Sequence, residues 1–582
     1  MRGDLRFTLL AAGLLAFAGP LRAEDQEPIV VERVPQHQEE PAPPLPAIEG
    51  GNTARDKADI APIEDEKTGK LVCPEGSAQA VDPDGTPAKS LGGAPLCRPV
   101  ARQFVKGELT NLGSSKLVVK DSRFGLRVGY ARLDQSSYLS VSPELDLRWD
   151  KFSFGLGLPL HVRAYANGFI DGQGIHFRQH DYDRPSDYAK IIRFITYGAK
   201  EDQLYLNVSP LFAATIGHGA LVRRYSGNTD QNVTRVGAQL DAYGQFGGFE
   251  AFVGDIVQPS HFLAGLLFLK PLGFLSLKGD AANTWGQTSI GVSAAADVNA
   301  PFVLTRDPAG RPTTSDEGEQ VVGRTQSAVL VGADLETKVV KTEAADVKPF
   351  LDYSRLLSSA VLADGRAVSG GGGLTAGVLG RFNKVGSSDK VHAFRVIVEG
   401  RYFDGNYIPG YFDTFYEIQK YQFITGRASA SYDPKLYTLL SQDPAAKRAG
   451  FYVEAAYQYN GGFAVMASYE DAATVKGTVN GVGGKNLTLH VEYPAYSFLQ
   501  FFASFYRRGF VGSPVPSSPY PDDMLIYAAA RLHILPILFL NARYYRTWQA
   551  DPVLGQMRNV NGAEIDLEFG YEFDRRASAR RN

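Results

Sequence analysis

The sequence predicts an all-β chain, a transmembrane antiparallel β-barrel of about 18–22 strands, behind a disordered, Pro-rich N-terminal region. Three observations predict it. Apolar and polar residues alternate with period two from about Ser122 onward, so successive side chains fall on opposite faces of an extended chain. Many of these segments approach the ~10 residues that a tilted membrane-crossing strand needs, against ~5–6 for soluble strands. Tight connections alternate with long polar ones, which gathers the long ones on one rim.

The alternation is plain between Phe152 and Ala164, where Phe154, Leu156, Leu158, Leu160 and Val162 are separated by small or polar residues. It recurs in Phe124–Tyr130, Leu139–Trp149, Phe451–Tyr459, Leu487–Tyr493 and Ala563–Phe573. Between about Asn299 and Lys420 the parity slips, and the strand count there is uncertain by at least one. Tight connections are expected at Asp150-Lys151, Gly247-Gly248, Asn460–Gly462, Pro494–Ser497 and Leu535-Pro536. Long ones are expected at Ala166–Tyr188, Asp471–Lys485, Gly509–Asp523 and Gln549–Gly562.

Charge supplies a check on closure. The last strand sets Glu564, Asp566, Glu568 and Glu572 on its wet face, where like charges two residues apart repel. The first strand offers Arg123 and Arg127, and the penultimate one Asn541 and Arg543. Closing the barrel seats the acidic strand between these two. Glu144, Asp146, Arg148 and Arg163 share the inward parity and join the candidate lumen-lining residues.

Composition agrees. There are 61 Gly, 29 Tyr and 34 Phe but only 3 Trp and 2 Cys, which suits strands, turns and interfacial aromatic girdles rather than a disulfide-built core. A net charge of −3 is too near neutral to suggest nucleic acid as a partner. The mean hydropathy of −0.17 is not diagnostic, because barrels average a greasy face with a wet one. The most apolar later stretch, Leu263–Leu277, is broken by Lys270 and Pro271, so no spanning helix is expected.

The chain divides into four parts. Arg2 and Arg6, the apolar run Phe7–Ala18 and Leu21-Arg22-Ala23 describe a secretory signal peptide over 1–23. Residues 24–104, with Pro35, Pro41, Pro43, Pro44 and Pro46 among Glu and Gln, read as a largely disordered periplasmic segment. The barrel is expected over 105–573 and a basic tail over 574–582. Cys73 and Cys97 are a disulfide candidate, since an oxidising periplasm permits pairing and two Cys alone make a poor zinc site.

The signal peptide, the repeated amphipathic strands and the aromatic-rich ending Phe569–Phe573 resemble bacterial outer-membrane barrel proteins of the porin-like kind. The resemblance implies the outer membrane of a Gram-negative bacterium, with its lipid and the barrel-assembly machinery as partners. It also implies passage of small polar solutes, with no cofactor. The alternative is a plugged or structural surface-display barrel. Such barrels usually end on the terminal aromatic, whereas here the basic tail follows Phe573.

Other signals are weaker. Glu27–Arg33 resembles the energy-coupling box of TonB-dependent transporters, but no recognisable plug domain follows it. His176 and His180, near Asp181 and Asp183, have metal-ligand character on what reads as a solvated loop. Gly217-His218-Gly219 and Arg223–Ser226 bring a His and a Ser together without the spacing of outer-membrane phospholipases. No catalytic or metal site is expected, and no glycine-rich loop between strand and helix suggests a nucleotide.

Overall fold

The computed structural model describes residues 122–573, less short stretches of which 167–176 and 424–432 are the longest, together with short strands between Ile63 and Pro99. The signal peptide, Cys73, the TonB-box-like patch, His176 and the basic tail lie outside the described residues, so the expectations resting on them do too. No helix among the described residues is long and apolar enough to cross a membrane.

Twenty antiparallel strands close on themselves. The first ten are β1 (Ser122–Leu133), β2 (Ser136–Trp149), β3 (Phe152–Gly157 with Leu160–Ala166), β4 (Ile192–Tyr197), β5 (Leu204–Ser209), β6 (Gly237–Tyr243), β7 (Gly247–Val253), β8 (Leu263–Leu269), β9 (Ser289–Asp297) and β10 (Ala328–Glu336, continued by Val340–Lys341). They are followed by β11 (Ala345–Leu356), β12 (Gly372–Val385), β13 (Val391–Asp404), β14 (Lys447–Tyr459) and β15 (Ala464–Lys476). The last five are β16 (Asn486–Tyr493), β17 (Leu499–Arg508), β18 (Met524–Leu535), β19 (Leu538–Ala550) and β20 (Met557–Phe573). The break in β3 falls at Pro159, which has no N–H to give to the ladder.

Every strand pairs with its sequence neighbour, and β20 pairs with β1 from Gly562↔Leu133 to Phe573↔Ser122. An even strand number is what lets first and last strands meet antiparallel. The long connections do share one rim, opposite the chain ends, where 167–191, 210–236, 298–327 and 405–446 fall. Two connections depart from the rule: 134–135 is tight on the long-loop rim, and 270–288 is long on the other.

Several expected boundaries shift. Gly247-Gly248 opens β7, and the turn before it is 244–246. Asp471–Lys476 belong to β15, and β20 begins at Met557 rather than Ala563, so the loops there are shorter and the strands rise further. The parity slip has two causes. Pro301–Leu304 pairs with Val322–Thr325, and Ser359–Val361 with Ala367–Ser369, as hairpins outside the barrel wall. Several wall strands in this part of the barrel are also apolar on both faces, which erases the alternation.

Along β20 the faces separate cleanly: Ile565, Leu567, Phe569 and Tyr571 are exposed, while Asp566 and Glu568 are buried. Exposed Leu139, Leu267, Val292, Leu351, Val378 and Val398 continue the outward apolar surface around the barrel. Such a band is unfavourable in water by roughly 25 cal/mol per Å2 and at home in hydrocarbon. Aromatic rings edge it. Trp149 stacks on Phe152 at 5.8 Å, Phe246 on Phe274 at 4.6 Å, and Tyr493 meets Phe501 at 5.7 Å, all toward the rim of the chain ends. Tyr130, Tyr353 and Tyr402 lie exposed toward the other rim.

Two tests follow. An epitope at Gly481, after β15, should be labelled by antibody on intact cells, and one at Asn460, after β14, should not; the reverse pattern would contradict the assigned rims. Leu567→Arg should impair assembly, because a charge facing mid-bilayer lipid costs about 2–4 kcal/mol. The readout is heat-modifiable gel mobility of the membrane fraction.

Candidate functional site in the barrel lumen

The inward charges assemble across the closure seam. Arg123 of β1 donates Nε to Asp146 at 2.9 Å and Nη2 to Glu144 at 2.7 Å, and its Nη1 pairs with Glu568. Arg127 pairs with Glu144 and lies 3.9 Å from Asp566. Asn541 donates to Asp566 at 2.8 Å and to Glu568 at 2.9 Å. Arg543 reaches Asp566 at 3.2 Å and pairs with Glu564. The acidic last strand is therefore flanked by cations on both sides, as its own repulsion requires.

Three members were missed from sequence. Arg531 of β18 reaches Glu568 at 2.9 Å. His161 of β3 joins Asp181 at 2.8 Å and lies 3.6 Å from Glu564. Arg193 of β4 reaches across β3 to Asp146 at 2.7 Å and Glu144 at 2.9 Å. It crosses because β3 carries Gly157 there, where a Cβ would lie 2.6 Å from Arg193 Cδ. A register shift opposite Gly155/Leu156 makes Arg193 the extra residue, so that it and Phe194 are both buried inward. The broken alternation at Arg193-Phe194 was the legible signal. Arg148 is half-buried, 5.9 Å over the Phe194 ring, whereas Arg163 is exposed.

Five guanidinium groups (Arg123, Arg127, Arg193, Arg531, Arg543) thus meet five carboxylates (Glu144, Asp146, Glu564, Asp566, Glu568). Charge is balanced. The centre is sealed: Arg123 is 1% exposed and Glu568 2%. At that burial the pairs serve the wall first, because an unpaired charge there would lose hydration with nothing in return.

The opposite side of the lumen is filled by chain. The described parts of segment 210–236, after β5, and of segment 405–446, after β13, turn inward and pair in parallel through Val222↔Phe412 and Arg223↔Asp413. Tyr225, Phe262, Phe412 and Tyr416 form an aromatic core, with ring centroids 4.3–4.7 Å apart for Tyr225–Phe262, Phe262–Phe412 and Phe412–Tyr416. The wall contributes Phe252, Leu266, Leu330, Leu356 and Phe403 from its inner face. That is why β8, Leu263–Leu269, shows no wet side in sequence.

Polar anchors fix this plug. Glu417 accepts from Tyr225 Oη at 2.7 Å and pairs with Arg235 at 3.0 Å, Lys420 at 2.8 Å and His261 at 3.1 Å. Burial would raise its carboxyl, but His261, Lys420 and Arg235 outweigh that and hold it well below the usual range. Arg223 donates to Glu399 of β13 at 2.7 Å and lies 4.1 Å over the Tyr452 ring. Lys435, fully buried on the short helix Lys435–Leu440, donates to the Tyr411 carbonyl at 2.6 Å, and burial pushes its ammonium down to about 7.

The His–Ser pairing weighed from sequence does not form: His218 bonds Asp352 and Glu336, while Ser226 Oγ accepts from the Ala213 amide. His180 contacts Asp183 at 3.1 Å.

A closed, twenty-stranded antiparallel wall, apolar outside and charged within, has the architecture of a membrane-spanning β-barrel. No family model matches the sequence, and no curated protein does. Among solved structures, OccK11 (OpdR) of Pseudomonas aeruginosa aligns at 11% identity over 78% of this chain and 96% of its own, with a TM-score of 0.27. OprD of the same organism aligns at 9% identity over 80% and 97%, also at 0.27. Wzi of Escherichia coli, described as a carbohydrate-binding β-barrel involved in group 1 capsule assembly, aligns at 10% over 78% and 85%, at 0.27.

The network predicts an asymmetric cost. Arg123→Met leaves three buried carboxylates short of their shared cation and should destabilise the folded barrel by about 3–5 kcal/mol. Arg163→Met, at an exposed position, should change stability by no more than about 0.5 kcal/mol. Urea unfolding in lipid vesicles, followed by tryptophan fluorescence, measures both.

Proposed function

We propose that the protein is a channel in the outer membrane of a Gram-negative bacterium, passing small polar solutes through a lumen narrowed by its own inward segments. The observation that carries the reading is the division of the lumen: segments 210–236 and 405–446 pack one side, and the balanced charge network lines the other. Barrels of 16–18 strands already enclose an aqueous channel, so twenty strands leave room that side chains alone do not fill. Opposed fixed charges order water and sort solutes by size and charge. The outward apolar band supports outer-membrane lipid as the surroundings, with the barrel-assembly machinery as the route in. The reading takes the chain as a conduit rather than an enzyme, and it needs no cofactor.

A second reading, a barrel whose plug stays shut, is favoured by the near-complete burial of Arg123, Asp146 and Glu568. Planar-bilayer recording separates the two. The channel reading expects small discrete steps from wild type and weak ion preference, since the lining charges balance. Replacing 405–446 with a short Gly–Ser linker should enlarge the steps. A silent wild type with a conducting variant supports the shut plug, and silence from both overturns the channel reading.

A further inference from the structure

A second cluster of ligand-type side chains lies across the lumen from the seam network. Asp334 of β10 and Asp352 of β11 are direct cross-strand partners on the inner face. Like charges so placed repel and need a cation between them. His218, carried in by segment 210–236, completes the group: ligating atoms of the three residues lie within 4.8 Å of one another.

Two features point to a ligand. The Asp352 side chain is 4% exposed, yet while Oδ1 takes His218 Nδ1 at 2.9 Å, Oδ2 is sealed without a hydrogen-bond partner. Asp334 has no hydrogen bond or ion pair with any described residue, and its space is kept by the glycine opposite: a Cβ on Gly291 would fall 2.3 Å from Asp334 Oδ2. The histidine is also held for the purpose. Gly217 and Gly219, at φ of 54° and 90°, turn the chain tightly on either side of it. Its ring stacks on Phe350 at 4.0 Å, and Glu336 holds Nε2 at 3.0 Å.

We infer that Asp334, Asp352 and His218 bind a divalent first-row transition-metal ion that clamps segment 210–236 to the wall at β10 and β11. Mixed imidazole and carboxylate donors suit ions of this class. A dication offsets the two facing aspartates. A carboxylate on the far nitrogen, here Glu336, is the usual way a ligating histidine is oriented. The inference rests on the wall and loop geometry and stands whether or not the lumen conducts.

The test is calorimetric titration of Zn2+ into the full-length barrel, refolded in detergent and stripped with chelator. One ion should bind per chain. Asp334→Asn and Asp352→Asn should each weaken binding at least about tenfold. Asp334→Asn breaks no hydrogen bond, so it should keep wild-type heat-modifiable mobility; it decides the matter even where Asp352→Asn fails to fold. Wild-type affinity in a folded Asp334→Asn barrel, or no Zn2+ binding by wild type at millimolar concentration, would overturn the site.

Discussion

The contact on which the rest of the barrel depends is the pairing of its last strand with its first. Strand β20 carries Glu564, Asp566 and Glu568 on one face, at a spacing where carboxylates repel. Left as an edge, it would be both unpaired in its backbone and uncompensated in charge. Closing against β1 answers both at once. Twelve residue pairs complete the ladder, and Arg123 and Arg127 meet the carboxylates. The demand then passes on around the wall, because those guanidinium groups need more anions than β20 supplies; Glu144 and Asp146 provide them and in turn take Arg193.

The inner wall solves two different problems on its two sides. At the seam it faces a buried charge network and is itself polar. From β7 to β13 it faces folded chain, and there Phe252, Leu266, Leu330, Leu356 and Phe403 make it apolar. A lumen this wide cannot be closed by wall side chains, so the two inward segments supply a core of their own. They are fixed by apolar packing plus a few buried ionic anchors at Glu417, Glu399 and Asp413. An ionic anchor that loses one partner leaves a buried charge, so each anchor opposes undocking of its segment.

Much of this was legible in the sequence, for a physical reason. A wall with lipid outside and charge inside must alternate, so the strands at the seam, the closure logic and the inward positions of Arg123, Arg127, Glu144, Asp146, Asn541, Arg543, Glu564, Asp566 and Glu568 could be read residue by residue. Where plug replaces water, the inner face turns apolar and the signal vanishes; hence the miscounted region between Asn299 and Lys420. Arg193 does not follow from strict parity, because a bulge breaks it there and only the broken alternation itself marks the residue, and Arg531 was missed because its partner, Glu568, lies two strands away. Loop direction could not be read, since nothing local in 210–236 or 405–446 says that a polar connection will turn inward. In the group at His218, Asp334 and Asp352, the histidine lies more than a hundred residues from either aspartate, and only the fold brings them together.

The central claim is that charge pairing across the seam closes the barrel, and a double-mutant cycle on Arg123 and Glu568 tests it most directly. Arg123→Met, Glu568→Gln and the double variant are unfolded by urea in lipid vesicles beside wild type. Mutual dependence predicts that the double variant loses less than the two single losses combined, with a coupling of about 0.5–3 kcal/mol. Strict additivity of the two substitutions would contradict it.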